Sequence, residues 1–120
     1  MPHSIEYNKS NKCIEVCVVG ELDLDLFQKF AFDVAKTSAD TGCTKILNNL
    51  REAWPVDNVL EIMKMPNLAK IIGVTPKCKR ALVVGDKVKE FYFLETVFVN
   101  QGHVVKMFST IEEAKEWLFS

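Results

Sequence analysis

Histidine and glycine are scarce in this chain: two of the first, His3 and His103, and five of the second. Isolated glycines cannot build a loop whose successive backbone donors cradle a phosphate. Gly20 is followed by Glu21, Leu22 and Asp23, which repel an anion, and Gly85 by Asp86 and Lys87. Neither is a dinucleotide or P-loop fingerprint. No G-x-S-x-G elbow is present. His3 reads as part of a frayed tail, and His103, just after Gly102, as an exposed turn residue. Asp23 and Asp25 read as capping residues, not as a carboxylate pair. The expectation is a chain that is not an enzyme, with no catalytic residues and no cofactor.

An excess of either charge is also missing. Fifteen basic residues face 16 acidic ones, for a net charge of -1. A nucleic-acid binder needs a basic surplus to neutralise phosphates, so no nucleic-acid partner is expected. The cluster Lys77, Lys79, Arg80 reads as a solvated strand entry. None of the four cysteines (Cys13, Cys17, Cys43 and Cys78) forms a C-x-x-C pair, so free thiols and no metal site are expected. Cys13 and Cys17 fall on one face of a strand, where side chains repeat every two residues. The first twelve residues, MPHSIEYNKSNK, contain no apolar signal-peptide core, and no apolar run reaches the ~18 residues of a membrane span. The expected location is the cytoplasm.

What is present suits one globular domain. Of 120 residues, 48% are hydrophobic and 26% charged, and a chain this long can bury roughly two-thirds of its surface. Residues 1–120 are expected to form a single domain. Ser4–Tyr7 and Cys13–Val19 read as strands joined by the polar turn 8–11. Phe27, Phe30, Ala31 and Val34 have the i, i+3, i+4, i+7 spacing of a buried helical stripe, stopped near Gly42. Ile46–Leu50 reads as a short strand, with the unusual pair Asn48–Asn49 inside it; one of the two is expected at the sheet's end or holding the following loop. Pro55 suits the first turn of a second helix with stripe Val56, Val59, Leu60, Met63, interrupted at Pro66. Arg80–Val84 is apolar without alternation, as expected of an interior parallel strand covered on both faces. Asp86 can cap a helix over 88–100; 104–108 is a strand, and Thr110 with Glu113 spells a capping box before a last helix. The order β-β-α-β-α-β-α-β-α predicts an α/β fold with a mainly parallel central sheet and an N-terminal antiparallel hairpin.

The third helix is apolar on two sides. Leu94, Phe98, Phe91 and Val88 make one stripe, and Phe93 and Val97 lie opposite. One side belongs on the sheet. The other faces a neighbouring helix, a ligand or another chain. Glu95 lies at the rim of the main stripe, either reaching water or facing a pocket.

The run KCKRALVVGDKV, an aromatic helix, and then VVKMFSTIEEAKEWL resemble the SpoIIAA-like branch of the STAS domains. Arg80, Ala81, Val84, Gly85 and Asp86 match one family pattern, and Phe108, Glu112, Glu113, Ala114, Trp117 and Leu118 a second. GEL at 20–22 and ILNNLREA at 46–53 match more weakly. The resemblance spans nearly the whole chain and implies a SpoIIAA-like fold. It also implies a non-enzymatic regulatory or protein-interaction role, with a protein partner or a homodimer. Signalling STAS domains carry a phosphorylatable serine or threonine just after the third strand. Residues 51–57 here, REAWPVD, contain no hydroxyl. Trp54, Phe93 and Val97 are the candidate interaction residues. SpoIIAA-like domains are similar in fold to lipid-binding domains, so a small apolar ligand or lipid is the alternative, in a pocket lined by Met63, Met65 and Phe91.

Overall fold

A computed structural model describes residues 2–120. The first two strands form a hairpin. β1 (His3–Asn8) pairs antiparallel with β2 (Cys13–Leu22), Asn8 opposite Cys13. Asn8 Oδ1 accepts from the backbone N–H groups of Ser10 (3.0 Å) and Asn11 (3.4 Å), so an asparagine side chain organises the turn. His3 belongs to β1 and is not frayed; its Nε2 lies 2.8 Å from Asp33 Oδ2 on the next element.

That element is α1 (Leu24–Thr41). Asp23 Oδ1 accepts from Leu26 N at 2.9 Å at its start, and Gly42, at φ 74°, ends it. Then follow β3 (Lys45–Pro55), α2 (Val59–Ile72), β4 (Lys79–Val83), α3 (Val88–Asn100), β5 (Val104–Phe108) and α4 (Ile111–Leu118). The sheet order is β1-β2-β3-β4-β5, and every pairing after the hairpin is parallel. β4 lies inside the sheet, buried on both faces, as its unalternating sequence predicts. The first half of the Thr110–Glu113 box forms, Glu113 N donating to Thr110 Oγ1 (3.2 Å), while the Glu113 carboxylate accepts from the Thr110 hydroxyl (Oε1, 3.1 Å) in place of the backbone N–H.

α1 and α3 cover one face of the sheet, with α2 packed against both helices, around the larger core, which includes Ile14, Phe30, Ile46, Met65, Phe91 and Phe98. α4 covers the other face over Cys13, Leu47, Ala81, Val83, Ala114 and Leu118. The four cysteines are unpaired, and no helix among the described residues is long and apolar enough to cross a membrane.

Three local expectations are corrected. β3 does not stop at Leu50. It continues to Pro55 because β2 also continues, Val19 opposite Glu52 and Leu22 opposite Pro55, and Val56 N donates to Leu22 O at 3.0 Å. Pro55 therefore closes a strand, and α2 starts four residues later, capped by Asn58 Oδ1 on Glu61 N (3.2 Å). α2 also runs through Pro66 and buries a different face: Ile62, Met65, Pro66 and Ala69 point inward, while Val59, Leu60 and Met63 point outward. Both sets have helical spacing, and the neighbouring helices α1 and α3 take the one that places Pro66 in the core. Asp86 does not cap α3; Lys87 occupies the cap position and makes no side-chain bond there.

Candidate functional site

β4 pairs with β3 only over residues 45–49. Beyond Asn49, β3 has β2 as its neighbour, so the two strands project together past the end of the sheet. Trp54 stands on this projection, 52% exposed. The outward face of α2 follows with Val59, Leu60 and Met63, giving four large apolar side chains in solvent within ten residues.

The frame beneath them is tied down. Asn49 Oδ1 accepts from both Arg51 N (3.2 Å) and Arg51 Nε (3.0 Å), so this asparagine does hold the chain that follows. Lys87 Nζ donates to the Arg51 carbonyl. Glu61 Oε1 accepts from Leu24 N at 3.0 Å and fixes the start of α1 against α2.

Of the other candidate contact residues, Phe93 on α3 is 40% exposed, beside the more exposed Tyr92. Val97 is half-buried and packs on the core of its own chain. Val88, assigned from the sequence to the buried stripe, is exposed. The three candidate pocket residues are not brought together in a pocket: Met65 and Phe91 are closed inside the core and Met63 faces solvent. Glu95 neither reaches into a pocket nor simply meets water. Its Oε2 accepts from Met107 N at 2.9 Å, on the side of β5 away from β4. A carboxylate thus covers an open strand edge, one of the ways proteins blunt edge pairing.

Two further polar residues lie in the larger core. Arg80, read from the sequence as part of a solvated cluster, is 6% exposed, and His103, read as an exposed turn residue, is 4% exposed. Arg80 Nη2 donates to His103 Nδ1. His103 Nε2 lies 3.0 Å from the Pro66 carbonyl. A carbonyl only accepts, so the imidazole is the neutral Nε2–H tautomer, its Nδ1 lone pair free for the guanidinium. Burial, and then the adjacent Arg80 charge, lower His103 to about 4. Burial lowers Arg80 to about 10, so it stays cationic at neutral pH. The guanidinium also sits over the Phe98 ring, 5.6 Å from its centroid. Nothing in the composition marks this pair. The available signal is periodic: Arg80 shares its face of β4 with Leu82, and a strand buried on both faces has no solvated position for a charge.

Burial, reinforced by Glu15, raises the Cys13 thiol to about 11, which leaves it protonated and unreactive at neutral pH.

No protein-family model matches the sequence, and no curated protein matches it. Solved structures do match its fold. The anti-sigma factor antagonist SpoIIAA in its unphosphorylated form aligns over 98% of both chains, with a TM-score of 0.56 at 14% identity. An anti-sigma factor antagonist from Mycobacterium paratuberculosis aligns over 98% of this chain and 95% of its own, with a TM-score of 0.63 at 10% identity. An uncharacterized protein with a SpoIIAA-like fold from Shewanella loihica aligns over 97% of this chain and 91% of its own, with a TM-score of 0.62 at 18% identity. The chain has a SpoIIAA-like α/β fold.

Proposed function

We propose that this chain is a non-enzymatic regulatory module of the cytoplasm that binds another protein through the projecting end of β2–β3 and the outward face of α2. The observation that carries the reading is the exposed run Trp54, Val59, Leu60, Met63 on a pinned frame. Exposed apolar side chains clustered within a short stretch of chain mark a contact surface, and tryptophan is among the residues that dominate binding energy at such surfaces. Two of the similar structures are anti-sigma factor antagonists, and four unpaired thiols suit a reducing compartment. From Arg51 through Glu61, in the first turn of α2, the chain has no serine, threonine or tyrosine, so no hydroxyl there can take a phosphate. The module is therefore controlled by partner availability and not by a charge switch at the start of α2. A second contact, through Phe93 on α3, serves a copy of the same chain.

A photo-reactive amino acid at position 60, introduced in the cells that make the protein, tests the first contact. It should capture one defined protein, and Trp54→Ala or Met63→Glu should abolish that capture with the fold intact. The same probe at Lys9, on the hairpin turn, is the control. Equal capture from both positions overturns the assignment of the surface.

A further inference from the structure

A cavity of about 50 Å3 lies between the sheet and helices α1 and α3. A second, of about 30 Å3, lies beside it toward the middle of α1. Phe27, Phe30, Asn48 and Arg80 line both. The rest of each lining is apolar, with Leu82, Leu94 and Phe98 among the residues around the first.

Arg80 is the anomaly. Among the described residues its guanidinium finds one hydrogen-bond partner, the neutral His103, and no carboxylate forms an ion pair with it. Its Nε is buried and has no partner at all. A buried cation is ordinarily paired, because leaving water costs several kcal/mol that only a counter-charge and full hydrogen bonding offset. Among the described residues no counter-charge faces it, and the space beside the cation is not filled by a side chain. The Asn48 amide, which gives one hydrogen to the Ala81 carbonyl at 3.4 Å, keeps a second donor.

We propose that this cavity is a binding site for a short-chain carboxylate, its carboxylate on Arg80 and its hydrocarbon tail among Phe27, Phe30, Leu94 and Phe98. Guanidinium and carboxylate match in shape and charge, and their hydrogen bonds are stronger for being ionic. Room decides the size. A water takes roughly 10–15 Å3 of such space, so the first cavity admits about three to five heavy atoms, an acid of about one to three carbons. A simple halide would leave the apolar part of the lining without contacts. An uncharged tail alone would leave Arg80 unpaired. This inference does not depend on the protein-binding surface, which lies elsewhere on the chain.

Sodium propionate is the probe, followed by amide chemical shifts in β4 and β5 and by the thermal midpoint. Saturable shifts at Leu82 and Val105 and a rising midpoint are expected. Propionamide, the uncharged analogue, and chloride at equal ionic strength should give neither. Arg80→Met removes a buried charge without leaving a hole and should weaken propionate by about tenfold or more. Val105→Ile, which keeps the arginine and narrows the cavity, should weaken propionate more than acetate. Binding of propionamide as tight as that of propionate overturns the proposal, because the cation then plays no part. Chloride producing the same shifts overturns it in favour of a plain anion site. No saturable shift with any acid means a cavity that holds water only, and also overturns it.

Discussion

A neutral imidazole at position 103 can accept from Arg80 on Nδ1 and donate from Nε2 to the Pro66 carbonyl; a protonated one cannot do the first. The fold therefore holds His103 at about 4, against 6.5 for a free histidine. Between those values the unfolded chain binds the proton and the folded one does not, so stability rises with pH across the window. The contribution is complete above about pH 6.5 and is lost as pH falls toward 4. At 1.36 kcal/mol per pKa unit its upper size is roughly 3 kcal/mol. Urea midpoints measured from pH 7 to 4 should fall, and His103→Gln should flatten the curve, since an uncharged amide can still accept from Arg80 and donate to Pro66. Identical slopes in the two proteins would mean that carboxylates elsewhere set the acid limb.

At the scale of the element, α2 gives the sharpest contrast, because two of its faces have helical spacing. Met65→Ala should cost about 2–5 kcal/mol, as for a closed core position. Met63→Gln, on the outward face, should stay within about 0.5 kcal/mol. Chemical denaturation of the two variants checks this, and a large loss at Met63 would reverse the orientation of the helix. The same element shows where sequence reading ran out. Helical period located the stripes of α1 and of most of α3, since in each one apolar side outweighs the other. In α2 it found Val59, Leu60 and Met63 and missed Ile62, Met65 and Ala69. Pro55 and Pro66 misled for one reason: a proline's local effect yields to tertiary pairing, here with β2 and with the core. The interior position of β4 was legible in its unbroken apolar run, yet that run also contained Arg80. Recognising it as buried required knowing that β4 has no solvated face. His103 needed the third dimension altogether, because its partners lie 23 and 37 residues away.

For the whole molecule, self-association has few routes. Sheet-to-sheet pairing at β5 is obstructed where Glu95 takes the Met107 N–H. At the other edge, β1 is six residues long and preceded by Pro2, so it offers only a short ladder to a partner strand. Helix faces remain, and α3 offers Phe93 and Tyr92 in solvent. A two-fold axis passing beside α3 would set this helix against its own copy, the commonest closed arrangement of identical chains. Val97 adds less than its sequence position promised, since it already packs on its own core. Covering the part of Phe93 still exposed is worth roughly 1 kcal/mol per subunit, and a charge placed in the seam costs more, so Phe93→Glu should shift a dimer toward monomer. The side chain is 40% exposed in the single chain, so a glutamate there can reach water and the fold should survive. Sedimentation of both proteins with circular dichroism alongside reads the two effects separately. Loss of helical signal in the variant would mean that Phe93 is needed inside its own subunit. A wild type that sediments as a monomer at tens of micromolar would remove the homodimer and leave α3 facing solvent or a different protein.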